Sequence, residues 1–346
     1  MTKTERELFG QHIGLRQTYA YMQSKTETTK DFFGVSGFYS VTFTGCGTMF
    51  PLCKAAELSL KTRGGLTSMA YAAGDLTLNM PYYRDMLNGT MLIALSRSGA
   101  TSEVLCAVER ARREAGASVI SVTAETQSKL AQMADLALEA PWINDESVAP
   151  TRSVSGFYLM NLFAIGLLTG DTTLIDELKA ATDAQEAFMA QYRAELEGIS
   201  QSGLWDKVLV LADGELAGLA EASSRAMLSM GLIPASHCNI LDVRHGQHLL
   251  VDERTLVIAV VSPLEEAYQS TLLRELRTRG AQIMTISSRT DNIYSADLNI
   301  PLPDYLNYAV RGLPLLYCLQ AIAFFKTISE NRDPDAGGGM DRWVRL

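Results

Sequence analysis

The chain has 346 residues, of which 30 are Lys or Arg and 39 are Asp or Glu, so its formal net charge is −9. This length is enough for two domains with separate hydrophobic cores. With 47% hydrophobic and 20% charged residues, the composition excludes a disordered or membrane-embedded chain. The acidic balance excludes a basic surface for nucleic acid or anionic membranes, so an anionic ligand must be held by local geometry.

The cysteine pattern and the N-terminal sequence bear on the compartment. The five cysteines are odd in number and scattered, without metal-ligand or redox spacing, which indicates buried thiols in a reducing compartment. The opening MTKTERELFG lacks an apolar signal segment, and no run approaches the ~18 apolar residues of a membrane span. We therefore expect a cytoplasmic protein without membrane or nucleic-acid partners.

Short apolar runs alternate with helical patterns in the first half, as in βαβ units. The predicted strands are 39–44, 91–95 and 118–123. The predicted helices are 49–60, 101–115 and 154–168, the second with a continuous apolar stripe. The pattern predicts a parallel sheet flanked by helices.

The same pattern repeats after residue 200. Strands are predicted at 207–211, 256–261 and 282–286, and helices at 214–230, 264–279 and 306–328, where Pro314 marks a kink or the true start of the last helix. We expect an α/β protein with two doubly wound domains, at 1–170 and 201–346. The segment 171–200 is predicted as a helical connector, and 331–346 as a polar tail.

Two loops following the first two predicted strands have the composition of an anion site. The first is Gly45-Cys46-Gly47-Thr48, and the second is Ser96-Arg97-Ser98-Gly99-Ala100-Thr101. In open α/β sheets ligands bind beyond the carboxyl ends of the strands, where amides and helix N-termini face outward. Hydroxyls, free amides and a positive helix end suit a phosphate monoester. The alternative is ordinary helix capping by Ser98 or Thr101.

These loops, GCGT and SRSGAT, resemble the sugar isomerase (SIS) domain of phosphosugar-binding proteins. The segment ESVAPTRS at 146–153, the second half and the tail extend the resemblance along nearly the whole chain. It is similar to the tandem-SIS isomerase half of glucosamine-6-phosphate synthase and to fructosamine-6-phosphate deglycases. The resemblance implies a phosphate site in the first SIS domain, formed by Gly47, Thr48, Ser96, Arg97, Ser98 and Thr101, with further substrate contacts from Cys46, Thr151 and Arg152.

The sequence departs from the family pattern inside the predicted site. Arg97 stands where the synthase usually has Gln, and Met49 stands where a second hydroxyl is common. The loops that follow the strands of the second half carry Asp213, Glu215 and Glu265 instead of hydroxyls. Because carboxylates repel a phosphate, we expect one phosphate pocket per chain, in the first domain.

The segment Asp242-Val243-Arg244-His245-Gly246-Gln247 resembles the family's ELKHGP motif. The resemblance implies that His245 opens the sugar ring or moves protons, often from a neighbouring subunit. Imidazole titrates near neutrality and suits that role. The alternative is a hydrogen-bonded structural histidine, and His237 and His248 are weaker candidates.

The resemblance leads us to look for a catalytic Glu about sixteen residues before that histidine, because a proton shuttle needs a base. Ser229 occupies that position. Glu221 and Glu146 are the carboxylates that we consider in its place. Arg342 stands near the position of the synthase's C-terminal Lys.

Two functions of different class remain. The first is an enzyme that acts on an amino-sugar or fructosamine-type hexose 6-phosphate by isomerase, deaminase or deglycase chemistry, with no cofactor and no metal; the tail sequence NRDPD favours a deglycase. The second is a non-catalytic, sugar-phosphate-binding regulator. The apolar helix at 308–325 and the resemblance favour a homodimer or higher homo-oligomer.

Overall fold

A computed structural model describes residues 1–344 and 346. Its helices are α1 Lys3–Phe9, α2 Gln11–Ser24, α3 Thr26–Val35, α4 Met49–Gly64, α5 Ala73–Leu87, α6 Ser102–Ala115, α7 Lys129–Met133, α8 Arg152–Thr169, α9 Thr172–Gln201, α10 Ala217–Gly231, α11 Glu266–Thr278 and α12 Gly312–Ser329. Its strands are β1 Ser40–Gly45, β2 Thr67–Ala72, β3 Thr90–Ser96, β4 Ser118–Thr123, β5 Leu136–Glu139, β6 Lys207–Leu211, β7 Ala235–Cys238, β8 Thr255–Val260, β9 Gln282–Ser287 and β10 Leu298–Pro301.

The first sheet is parallel, with the strand order β2-β1-β3-β4-β5. All residues of β1 and β3 are buried, as expected for central strands covered by helices on both faces. The strand order reverses between β1 and β3, because the chain passes from β1 to β2 on one side and then crosses to β3 on the other. This is the switch point at which doubly wound sheets bind ligands.

The second sheet repeats the first. Its order is β10-β9-β8-β6-β7, again with parallel pairs, so β6 to β10 occupy the same relative places as β1 to β5. The predicted fold is confirmed: two doubly wound α/β sheets flanked by helices, with one topology used twice.

The chain packs into two compact units. The first unit comprises residues 9–146, 150–183 and 341–346, and the second comprises residues 1–8, 147–149 and 184–340. The predicted connector is helical, since α9 covers it as one element whose residues are shared between the units. Residues 1–8 are assigned to the second unit, and the described residues at 341–344 and 346 are assigned to the first.

Each unit has its own apolar core, as the composition requires. On α6 the buried residues recur at helical spacing and face the first sheet. In the second unit the strand interiors pack against the apolar face of α11. The segment Tyr308–Ser329 is long and apolar enough to cross a membrane, but 94% of its most apolar window is buried in the protein, so it is a core helix. Pro314, the third residue of α12, marks its start rather than a kink.

Candidate functional site

Two loops meet at the switch point of the first sheet. Gly45, the last residue of β1, pairs in register with Leu95 of β3, so the chain leaves both strands side by side. The loop after β1 leads into α4, and the loop after β3 leads into α6. The two predicted anion loops, 45–48 and 96–101, are therefore neighbours at the carboxyl edge of the sheet.

The loop after β3 has a tightly fixed backbone. Gly99 has a φ of +56°, and a Cβ added there would lie 2.1 Å from Oγ of Ser128, so both the conformation and the space require glycine. The hydroxyls of Ser96 and Thr101 lie 3.1 Å apart. Ser98 Oγ accepts a hydrogen bond from the amide of Ala100 at 3.2 Å. The turn thus gathers three hydroxyls around a helix N-terminus.

The N-termini of α4 and α6 show whether the loop hydroxyls only cap the two helices. Among the described residues, neither Thr48 nor Thr101 accepts a capping hydrogen bond through its side chain, although each occupies the N-cap position. Ser98 does satisfy a local amide, as that alternative expects. Helix capping therefore accounts for the hydroxyl of Ser98 but not for those of Thr48 and Thr101. The two threonine hydroxyls remain suited to an anion at the N-termini of α4 and α6.

Arg97 is buried, with 8% of its surface exposed. Its Nη2 donates to the backbone carbonyl of Arg342 at 2.9 Å. The tail also contacts α6, because the amide of Ser102 donates to the carbonyl of Val344 at 3.4 Å and its Oγ accepts from the amide of Leu346 at 3.1 Å. Arg97 therefore links the loop after β3 to the C-terminal tail.

The segment before α8 is organised by Asp145, a fully buried carboxylate that sequence reasoning missed. Its oxygens accept hydrogen bonds from the amide and hydroxyl of Thr151, at 3.1 and 3.2 Å, and from the amide and hydroxyl of Ser153. Arg152 Nε lies 3.7 Å from the carboxylate. The neighbouring Glu146 is exposed. In the sequence, the signal for this role of Asp145 was an Asp followed within a few residues by several hydroxyl residues.

A polar cluster follows the edge strand β2. Asp75 accepts hydrogen bonds from the hydroxyl of Tyr83 at 2.6 Å and from the side chain of Asn79 at 2.7 Å. The Tyr83 hydrogen bond, followed by that of Asn79, lowers the pKa of Asp75 below its ordinary value. Cys46, in the loop after β1, is a thiol of intermediate burial. Burial raises the pKa of the nearby Cys53 well above its usual range.

His245 lies in the second unit, at the end of a short 3-10 turn, Leu241–His245, and is exposed. The turn is held by Arg244, whose guanidinium makes two hydrogen bonds to Glu275, at 2.8 and 2.9 Å. The next residue, Gly246, has a φ of +147°, a conformation that favours glycine. The side chain of His245 is therefore exposed to solvent, on a turn that the Arg244–Glu275 ion pair holds in place.

Glu221 also lies in the second unit, on α10, and is 7% exposed. Its Oε1 accepts from Nη2 of Arg225 at 2.7 Å, and its Oε2 lies 3.8 Å from Nε2 of His237. The Ser229 position is one turn beyond Arg225 on the same helix, and its hydroxyl donates to the carbonyl of Ala226. The carboxylate of Glu221 is thus already engaged by a cation and an imidazole.

The switch point of the second sheet lies between β6 and β8 and is acidic. Asp213 accepts from Asn239 Nδ2 at 2.7 Å and approaches the amide of Ile240 at 3.4 Å. Burial raises the pKa of the nearby Tyr308 to about 12. A carboxylate of the chain already occupies this edge, in keeping with the prediction of a single phosphate pocket, which stays a prediction.

The structure thus groups the predicted residues in two sets. The first unit contains the loop residues together with Asp145, Glu146, Thr151 and Arg152, and the second contains Glu221 and His245. Within residues 1–344 and 346, no three His, Cys, Asp or Glu side chains are arranged to hold a metal ion.

Residues 39–165 match the family model described as SIS domain. The chain is 25% identical over 323 residues to D-galactosamine-6-phosphate deaminase AgaS of Escherichia coli, covering 88% of this chain and 83% of that relative. Among solved structures it is similar to glucosamine-6-phosphate deaminase from Thermotoga maritima, with a TM-score of 0.85, 23% identity and 100% of both chains covered. It is also similar to tagatose-6-phosphate ketose/aldose isomerase from Escherichia coli, with a TM-score of 0.86, 24% identity, and 96% and 95% covered.

The repeated doubly wound sheet, with glycine- and hydroxyl-rich loops at the first switch point, defines a tandem sugar-isomerase-type α/β protein. Residues 39–165 are therefore an SIS domain, and the fold of the whole chain is similar to that of the tandem-SIS phosphosugar isomerases and deaminases.

Proposed function

We propose that the protein is an enzyme that isomerises or deaminates an amino-sugar or ketose hexose 6-phosphate. The observation that carries this proposal is the pairing of the loops 45–48 and 96–101 at the switch point of the first sheet. Such a position binds ligands in doubly wound sheets, and two helix N-termini with adjacent hydroxyls favour a dianion. The net charge of −9 does not oppose this, because the attraction is local.

In this proposal the phosphate lies against the amides and hydroxyls of the two loops. Gly47 and Thr48 contribute from the start of α4, and Ser96, Ser98 and Thr101 contribute from the start of α6. Arg97 supplies positive charge, although part of its hydrogen-bonding capacity is used by the tail. Each charge-assisted hydrogen bond is worth about 1.5–3 kcal/mol, so a few of them suffice for micromolar binding. Cys46, Thr151 and Arg152 are proposed to contact the sugar.

The sugar end of the substrate requires ring opening and proton transfer between C1 and C2. His245 is the proposed group for ring opening, because it is an exposed imidazole on an anchored turn. Glu221 and Glu146 are the proposed carboxylates for the proton transfer. They differ in environment: Glu221 is buried and paired with Arg225, whereas Glu146 is exposed.

The names of the relatives support the reaction class. Two are deaminases of amino-sugar 6-phosphates, and one is a ketose/aldose isomerase of a sugar 6-phosphate. These reactions share proton transfer at C1 and C2 and need no redox cofactor. We propose a cytoplasmic homo-oligomer without cofactor, on the basis of cysteines that form no disulfide among the described residues and the exposed apolar stripe of Leu78, Tyr82 and Met86 on α5.

The test is a substrate panel: D-galactosamine, D-glucosamine, D-tagatose, D-fructose and an N-substituted fructosamine, each as its 6-phosphate. Released amine and interconverted sugar are both measured. We expect turnover of at least one amino-sugar or ketose phosphate, and its loss in His245→Ala. Turnover of the fructosamine phosphate alone would identify a deglycase. Binding of several phosphates with no turnover above His245→Ala would instead support the non-catalytic regulator.

A further inference from the structure

A carboxylate, an imidazole and a hydroxyl are grouped on α10 and β7 of the second unit. His237 lies on the edge strand β7 with 42% of its side chain exposed, whereas the side chain of Glu221 on α10 is only 9% exposed. Nε2 of His237 is 3.8 Å from Oε2 of Glu221. Nδ1 of His237 is 3.3 Å from Oγ of Ser224. The imidazole thus lies between a buried acid and solvent.

The hydrogen bonds of Ser224 favour one tautomer of His237. Ser224 Oγ donates its proton to the carbonyl of Glu221 at 2.8 Å. Because that proton is already donated, the oxygen faces Nδ1 of His237 as an acceptor, which favours the proton on Nδ1. Nε2 then carries the lone pair that can accept a proton, and the adjacent carboxylate stabilises the imidazolium formed.

Burial distinguishes the roles of Glu221 and His237. The carboxylate is largely covered, and Arg225 already occupies Oε1 at 2.7 Å, whereas the ring is open to solvent. A second contact joins this strand to the predicted ring-opening segment, because Gln247 Nε2 donates to the carbonyl of His237 at 3.3 Å. His237 therefore belongs to the same local framework as His245 and is accessible to a small ligand.

We propose that His237, rather than the carboxylate of Glu221 or Glu146 directly, is the group that moves the proton between C1 and C2, with Glu221 as its positioning residue. Nε2 takes the proton from C2 of the open-chain aldose, and the C–H electron pair becomes the C1=C2 double bond. The π electron pair of the C1 carbonyl moves to O1, which takes a proton from solvent. The imidazolium then returns its proton to C1 as C2 becomes C=O or C=N and the oxygen or nitrogen on C2 releases a proton to solvent. No oxidant or metal is consumed, and this inference rests on the proposed function.

The test uses the full chain and the 6-phosphate that the wild type turns over best, with deuterium uptake from D2O at C1 and C2 as a second readout. We expect His237→Ala to lower kcat by on the order of 10²- to 10⁴-fold with KM nearly unchanged, and added imidazole to restore part of the rate. Glu221→Gln is expected to cost about tenfold, since the neutral amide no longer stabilises the imidazolium. Ser236→Ala, an exposed neighbour on the opposite face of β7, is the matched control and keeps its rate.

The possible outcomes separate the two proposals. A wild type that turns over no member of the panel overturns the proposed function, and this inference with it. An active wild type with a fully active His237→Ala or His237→Gln variant overturns the inference alone. A folded His237→Ala variant that imidazole does not rescue, together with a deeper loss in Glu221→Gln, would identify Glu221 as the base and also overturn it.

Discussion

The guanidinium of Arg97 donates to the backbone carbonyl of Arg342, 245 positions away in sequence, at 2.9 Å. Arg342 in turn donates to the side chain of Asn144 at 3.3 Å and to the carbonyl of Asp145. The loop 96–101, the segment before α8 and the C-terminal tail are therefore joined by two arginines. This network explains why an arginine at position 97 is buried although it lies in a loop.

Replacing Arg97 tests that network. Arg97→Ala removes a charge-assisted hydrogen bond and a positive charge beside the phosphate loop, so we expect affinity for a hexose 6-phosphate to fall by about 10- to 100-fold, or about 1.4–3 kcal/mol. Titration calorimetry measures the affinity, and hydrogen exchange is expected to accelerate in residues 341–344. Arg113→Ala, on the exposed side of α6, is the control. Equal affinities for the two variants would contradict the assigned role.

The hydroxyl pair at the start of α6 gives a second prediction. Ser96→Ala removes the partner of Thr101 at 3.1 Å and one expected phosphate donor, so binding weakens by about tenfold. Ser121→Ala is the matched control, because Ser121 is also buried in the first sheet but its hydroxyl has no hydrogen-bond partner among the described residues. That variant should bind like the wild type. A Ser96→Ala protein with unchanged affinity would remove Ser96 from the site.

Replacing Asp145 and, as its control, the neighbouring Glu146 tests how much Asp145 contributes to the free energy of unfolding. Asp145→Ala leaves the amides and hydroxyls of Thr151 and Ser153 without their buried acceptor, and we expect the free energy of unfolding of the first unit to fall by roughly 3 kcal/mol. Glu146→Ala changes an exposed side chain, with an expected cost within about 0.5 kcal/mol. Urea unfolding followed by circular dichroism compares the two. Similar midpoints for both variants would show that Asp145 does not organise the segment.

The Asp75 cluster predicts a change in titration. The hydrogen bond from Tyr83, and then that from Asn79, lowers the pKa of Asp75 below 3.8, so Tyr83→Phe should raise it. A carboxyl whose pKa is lowered by folding stabilises the protein above its unfolded pKa, and this contribution is lost as the pH falls through the folded pKa. The difference in stability between wild type and variant should therefore shrink below about pH 4. Carboxyl NMR titration checks the pKa, and an unshifted curve would contradict the assignment.

Much of the fold was predictable because the central strands are largely buried and rich in apolar residues. β1, β3, β4, β6, β8 and β9 all lie where alternation of apolar runs and helices predicted them. The edge strands were missed: β2 is partly exposed and β7 contains Ser236, His237 and Cys238, so neither forms an apolar run. Edge strands need little burial, because one side faces solvent.

The positions of the two loops were also predictable, since glycines and hydroxyls directly after a strand mark its carboxyl end; their role in binding phosphate stays a prediction. Asp145 was missed: hydroxyl residues follow it closely in the sequence, but only the folded segment brings those hydroxyls onto its carboxylate. His237 received little weight for a similar reason. Its neighbours Glu221 and Ser224 lie 16 and 13 positions away in sequence, and only the packing of α10 on β7 brings them together.

The most direct test of the central claim is the ratio of kcat/KM for the best 6-phosphate of the panel to that for the same sugar without phosphate. If the loops 45–48 and 96–101 hold the phosphate, several charge-assisted hydrogen bonds should give a ratio of at least about 10³, and Ser96→Ala should reduce it. A ratio near one, or a ratio that Ser96→Ala leaves unchanged, would contradict the account.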